Sequence, residues 1–353
     1  MSEPNSTPDL EPARKTELPP VEPPSAGFLI QLFVIPMMIV LIIVLVWLMF
    51  SWLAHMGSNP RELVRDLKRL NEASWQRALT LADLLRNPDY DELKRDPELA
   101  AELAQILEDQ LDAGRRDAES VKLRVFLCRA LGEFHVPSEV LPVLLKAATH
   151  EEDLTDIDVR RTALEALAIL GTNNSTRELQ ANDELMQALL GASRERTQNS
   201  EERPLRAELR STATYVLGVL GGQQSLDRLE VLMDDAYANV RYNAALGLAR
   251  YGDIRSQRVL LEMLDPMNEQ SAQSEQHEAG KLSKRLLVIK NGIRGAKQLA
   301  EQNQEDELSQ LSRALETILE SDLHMFNSRV RGGIRINAED ALIELRSRSM
   351  DSQ

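Results

Sequence analysis

Residues 240–252 read VRYNAALGLARYG, and the same arrangement stands at three earlier places: LRVFLCRALGEFH from Leu123, VRRTALEALAILG from Val159 and LRSTATYVLGVLG from Leu209. In register, each segment opens with an aliphatic residue and an arginine: Arg124, Arg160, Arg210 and Arg241. Three positions on, Ala163, Ala213 and Ala244 recur, with Leu127 in the first segment. Seven positions on stand Leu131, Leu167, Leu217 and Leu248. Eleven positions on stand Gly171, Gly221 and Gly252, with His135 in the remaining slot. Apolar residues at three- and four-residue spacing predict helices. Small residues let helices approach closely, leucines fill the seam, and glycine stops a helix in the left-handed conformation. A shorter helix is expected after each: Val140–Ala148, Glu184–Leu190, Leu226–Met233 and Gln257–Leu264. A single pair cannot bury its own apolar face, so the pairs must stack. The reading is all-α, an α-solenoid of four helix pairs over residues 119–265.

LMDDAYANVRYNAALGLARYGD, residues 232–253, resembles the bacterial HEAT-repeat consensus, with its acidic turn, Val-Arg, alanine-rich helix and glycine. With its apolar N-terminal segment, the whole chain resembles membrane-anchored bacterial HEAT-repeat proteins. That resemblance implies the fold; function has to be argued from a site. The sequence departs from the pattern at Leu127 and His135 and in spacing, the arginines lying 36, 50 and 31 residues apart. The long interval holds SRERTQNSEERP (193–204), read as a polar surface loop.

Upstream, no Asp, Glu, Lys or Arg occurs between Glu22 and Arg61, and residues 28–53 are almost wholly apolar. A helix of that length exceeds the ~30 Å hydrocarbon core of a bilayer. Residues 27–54 are therefore expected to be a single transmembrane helix in contact with lipid through 28–53. Trp47 and Trp52 lie toward one interface, and Pro36 is a potential kink. Arg61, Arg65, Lys68 and Arg69 follow closely, whereas only Arg14 and Lys15 precede at a distance. The positive-inside rule then puts the N-terminal tail outside and the bulk of the chain in the cytoplasm. Residues 1–26, with seven prolines, read as a disordered tail.

Residues 55–118 read as juxtamembrane helices leading into the stack. One helix is expected to open at Asn59-Pro60-Arg61-Glu62 and to bury Leu63, Leu67, Leu70, Ala78, Leu81 and Leu85 before Asn87-Pro88. A second should open at Asp96-Pro97, bury Leu99, Leu103, Ile106, Leu107 and Leu111, and stop at Gly114. Residues 266–281 read as a flexible polar linker. Residues 282–353 carry helical signals over Leu282–Glu301, Glu307–Glu320 and Ala338–Arg346, as atypical closing repeats would.

A net charge of −15 and 56 acidic against 41 basic residues argue against a nucleic-acid partner. The one cysteine, Cys128, excludes an internal disulfide and is read as a buried thiol. The histidines at 55, 135, 150, 277 and 324 form no ligand spacing. The acidic run His150-Glu151-Glu152-Asp153, with Asp156 and Asp158, lacks the glycine and closing glutamate of a calcium loop. It reads as a solvated turn capping the next helix. No nucleophile constellation, phosphate loop or dinucleotide fingerprint occurs, so neither catalysis nor a cofactor is expected. The repeated arginines read as structural partners of nearby acids.

These observations favour a membrane-tethered scaffold that binds a protein along a concave surface lined by the second helices. Arg228, Glu230, Arg258 and Glu262 are the candidate contacts there. KLSKRLLVIKNGIRGAKQ, residues 281–298, carries six basic residues and no acid. Lys290, Arg294 and Lys297 on one flank are candidates for an acidic segment or anionic lipid. Two other classes stay open: a ligand-handling protein of tetrapyrrole or nucleobase type, using Tyr215, Tyr237, Tyr242 and Tyr251, and a self-associating membrane or envelope component.

Overall fold

A computed structural model describes residues 27, 30–56, 60–68, 73–304 and 306–351. The expectations placed on residues 1–26, on the Asn59 cap and on Leu70 fall outside them. The chain divides into two compact units, Met1–Asn59 and Pro60–Gln353.

In the first unit, a π-helical turn, Ile30–Val34, runs into α1, Ile35–Met56. Pro36 is the second residue of α1. It has no N–H to return to the preceding turn, and the helix absorbs that loss as a wide turn at its start. Every residue from Ile30 to Phe50 is exposed, and no polar face interrupts them. By length and composition, Ile30–Ser51 can cross a bilayer.

The second unit is an α-solenoid, with no strand among the described residues. Its helices are α2 (Pro60–Leu67), α3 (Ser74–Arg86), α4 (Pro97–Asp112), α5 (Ala118–Gly132), α6 (Pro137–Thr149), α7 (Asp156–Asn173), α8 (Thr176–Gln180), α9 (Asp183–Ala192), α10 (Arg203–Leu220), α11 (Gln223–Leu232), α12 (Ala238–Arg250), α13 (Gln257–Leu264), α14 (Glu278–Gln302), α15 (Ser309–Glu320) and α16 (Ser328–Asp351). α3, α5, α7, α10, α12, α14 and α16 form one layer, each packed on the next. α2, α4, α6, α9, α11, α13 and α15 form the other, each against its partner in the first layer. Pairs on either side of the four registered by sequence stack in the same two layers.

The seam leucines behave as their spacing requires: Leu131, Leu167, Leu217 and Leu248 are all buried. Backbones in the first layer come together where side chains vanish. A Cβ on Gly218 would lie 2.7 Å from the Cα of Gly247, and one on Gly132 2.8 Å from Ala166. Gly221 and Gly252 end α10 and α12 with φ of +71° and +72°, a region costly for any residue with a Cβ. Gly171 does not end its helix. α7 continues to Asn173, and Gly171 is needed for space, since a Cβ there would meet Leu220 at 2.9 Å. The stop falls three residues later, where the Asn174 side chain donates to the carbonyl of Leu170.

Four other expectations change. The single helix expected from residue 60 to 86 is two helices, α2 and α3. The surface loop expected over 193–204 is non-helical and largely exposed over 194–202, but it ends at Arg203, where α10 begins, and it is anchored by the buried Ser193 and by ion pairs of Glu195 and Arg196. The linker 266–281 is pinned at Asn268, which donates to the Tyr242 hydroxyl and the Glu262 carbonyl, and it buries Ser271 and Ala272 in a 3-10 turn. The acidic run after His150 is solvated only in part: Asp156 and Glu151 meet the buried Arg124 and Arg160, whereas Glu152 and Asp153 face the exposed Arg116.

Candidate functional site

The four repeated arginines build a ladder through the stack. Arg124 is 2% exposed in its side chain and donates to Asp156 at 3.0 Å and to the Arg115 carbonyl at 2.8 Å. Asp156 also accepts the N–H groups of Glu152 and Asp153, so the acidic turn folds back on it. Arg160 donates through Nε to the Ala148 carbonyl and through its two Nη atoms to Glu151 and Glu195. Arg210 makes a two-pronged contact with Asp235, at 3.2 and 3.1 Å, and reaches the Glu195 carbonyl at 2.9 Å. Arg241 holds Glu262 at 2.6 Å and the Asp235 carbonyl at 2.9 Å.

Each arginine binds an upstream backbone carbonyl and at least one carboxylate, using the planar fork that lysine lacks. For Arg124, Arg160 and Arg210 a carboxylate lies at the start of the following unit or in the turn leading into it, so these three clasp neighbouring repeats, whereas Arg241 holds Glu262 on α13 of its own pair. Burial alone would push the Asp235 carboxyl up, but donors from Arg210, Tyr237 N–H and Arg196 outweigh it and hold it below the usual carboxylate range. Glu151 follows the same logic: burial opposes ionisation, and Arg206 and Arg160 overcome it.

The candidates on the second layer separate into two kinds. Glu230 and Arg258 are exposed, Glu230 paired with Arg255 and Arg258 with Asp234 across α11 and α13. Arg228 and Glu262 are not free surface. Arg228 is half-buried and donates to the hydroxyl and carbonyl of Ser193, tying α11 to the end of α9. Glu262 accepts from Arg241 and from the Tyr242 hydroxyl. Their sequence slots face solvent on a lone helix; in the stack, Arg228 is taken by the preceding unit and Glu262 by the first helix of its own pair. On α14, Lys290 and Arg294 are exposed, whereas Lys297 pairs with Asp340 of α16.

A family model described as HEAT repeats matches residues 107–190. Over that stretch the chain is similar to HEAT repeats, and the same two-layer stacking continues on both sides of it. No curated protein matches it.

Within this helical stack the tyrosines are structural for the most part. Tyr242 bonds Glu262, and Tyr251 donates to the Val219 carbonyl at 2.9 Å. Tyr215 stands exposed on α10. Tyr237 borders a cavity of about 200 Å³ with Asn239, Gln270, Ser271 and Gln273, small beside the roughly 300–1,000 Å³ of ordinary ligand pockets and lined by no charge. Two aromatic residues escaped the sequence reading: Trp75 and Phe126 stack at 6.2 Å, with Lys122 over the first ring and Arg129 over the second. Their only sequence signal is the i, i+3 and i, i+4 spacing of Lys122, Phe126 and Arg129.

Proposed function

We propose that the protein is a membrane-tethered, non-catalytic scaffold whose HEAT stack grips a basic protein segment along its second helix layer. The observation that carries this reading is the charge of that layer. Glu98, Glu102 and Asp109 on α4, Glu184 on α9 and Asp227 and Glu230 on α11 are all exposed. Glu102 pairs with Lys68 and Glu230 with Arg255, and Lys146 and Arg258 are held by acids as well, which leaves Glu98, Asp109, Glu184 and Asp227 with no cation at ion-pair distance among the described residues. Acids left in excess along a surface steer a basic segment toward it and select against acidic ones. HEAT repeats commonly mediate protein–protein contacts, which supports the same class of role. The apolar helix Ile30–Ser51 supports the tether, and the cations after it favour a cytoplasmic stack with the N-terminal tail outside.

Recovery of the full chain from detergent extracts at low salt tests the reading. A stoichiometric partner that is released by salt, and that fails to bind after Glu102→Lys, Asp109→Lys and Glu230→Lys together, is the expected result. A copurifying small molecule would point instead to ligand handling, and recovery of self alone to an assembling coat component.

A further inference from the structure

We propose that the exposed face of α14 is a second membrane contact, docking on anionic phospholipid headgroups; this rests on the reading of α1 as a bilayer anchor. Ser283, Leu287, Lys290 and Arg294 follow at spacings of four, three and four residues and are all exposed, so they form one stripe along the helix. The opposite face, with Ile289, Ile293 and Ala296, is buried in the stack. Lys284 flanks the stripe, and no acid occurs from Lys281 to Gln298.

Exposed cations elsewhere in the stack divide between those opposite a carboxylate, as Arg61 with Asp96 and Arg258 with Asp234, and those with no acid at ion-pair distance among the described residues, such as Arg177, Arg194 and Arg313. α14 differs in gathering its cations on one helix that carries no acid from Lys281 to Gln298. On α14 itself, Lys281 and Lys297 are matched by Glu278 and Asp340. Among the described residues, Lys284, Lys290 and Arg294 face no acid at ion-pair distance. In a chain of net charge −15, three neighbouring cations without internal partners leave a local positive field for an outside anion.

Leu287 decides which anion. It is 51% exposed in the middle of these cations. An acidic peptide would satisfy the charges and leave the leucine in water. A lipid surface takes both at once, phosphates against the cations and the apolar side chain at the headgroup–acyl boundary. The tether makes weak docking sufficient: α1 ends at Met56 and α2 begins at Pro60, so a headgroup surface is held at high effective concentration.

Cys128 is buried, which leaves an engineered surface thiol free to carry a probe. Full chain bearing Ser283→Cys, labelled with an environment-sensitive fluorophore, is embedded in nanodiscs of phosphatidylcholine with or without phosphatidylserine. The expected result is a blue-shifted label, quenched by a lipid-borne quencher, in the anionic discs only and reversed by high salt. Lys284→Gln, Lys290→Gln and Arg294→Gln together should lower the docked-to-free ratio roughly a hundredfold. Leu287→Ser should also weaken docking, whereas Lys297→Gln should not. A water-exposed label in both discs, with the chain still embedded, overturns the proposal, as does docking indifferent to the triple change. Shielding by a polyglutamate peptide but not by phosphatidylserine would overturn it in favour of an acidic protein. Failure of the anchor reading looks different, because the chain would then not be retained in the discs at all.

Discussion

Arg210 and Asp235 show what a buried ion pair does in a repeat array. Their side chains are 5% and 0% exposed, so each charge depends on the other. Asp235→Ala should cost about 3–5 kcal/mol, because it strands a desolvated guanidinium. Arg210→Met combined with Asp235→Leu should recover most of that loss, since an apolar pair often replaces a buried ionic one at little net cost. Denaturant titration of the helical signal measures both; a single-variant loss below about 1 kcal/mol would mean that the pair behaves as a surface one. The same carboxylates set the acid limit. Asp235 and Glu151 have folded-state pKa values held below their unfolded ones. Their contribution is therefore complete above the unfolded values of about 4 and is lost as pH falls through the folded ones. Thermal midpoints should stay level on this account from neutrality to about pH 5 and fall below it, with a smaller acid loss in the double variant. The arginine slots were legible in the sequence because they recur at one helical position. Their acids were not: Asp156, Glu195, Asp235 and Glu262 follow their arginines by 32, 35, 25 and 21 residues. No fixed period can find partners of which two sit in turns, Glu195 and Asp235, one opens a helix, Asp156, and one lies within a helix, Glu262.

At the scale of helices, glycine carries two opposite meanings. Gly218 and Gly247 let α10 and α12 touch backbone to backbone, and an added Cβ at either would meet a Cα within 2.8 Å. Gly218→Ala should therefore destabilise the stack by about 1–3 kcal/mol, the usual cost of overpacking. Gly332 of α16 has nothing within 4 Å of an added Cβ. Gly332→Ala should stabilise by up to about 1 kcal/mol through helix propensity alone. Thermal melts of the two variants should move in opposite directions; a common direction would refute the close contact between α10 and α12. Sequence alone ranks these glycines alike, since both interrupt a helical pattern. It read Gly221 and Gly252 correctly because they lie at the ends of apolar runs. It misread Gly171, whose role depends on Leu220 of the next unit. The ordered segment around Asn268 escaped for the same reason: its composition is that of a linker, but Tyr242 and Glu262 hold it from another helix pair.

For the whole molecule, the same division between local and non-local information decides how much can be read in advance. A solenoid repeats its contacts between neighbours, so one register of small residues, leucines and arginines suffices for the fold. A binding surface has no such redundancy, because each exposed side chain depends on whether an adjacent helix has already taken it. Arg228 and Glu262 were taken; Glu230, Arg258, Lys290 and Arg294 remain at the surface. The apolar helix is legible for a third reason. A run from Ile30 to Phe50 without a polar face has no soluble partner in its own unit and is exposed throughout. A bilayer would make such a helix favourable, since each apolar side chain left in water carries a cost of roughly 1.5–3 kcal/mol. Orientation then depends on the cations beside it. With Arg61, Arg65, Lys68 and Arg69 on one side and Arg14 and Lys15 farther away on the other, retention of the denser cluster in the cytoplasm is the favoured insertion. Reporter fusions at residue 20 should be active outside and fusions at residue 353 inside. Exchanging the four following cations for glutamine should mix the two orientations, because the charge bias that selects between them is then removed. A reporter at residue 20 active in the cytoplasm would reverse the topology. A full-length chain recovered without detergent would remove the anchor altogether, and with it the tether on which docking through α14 depends.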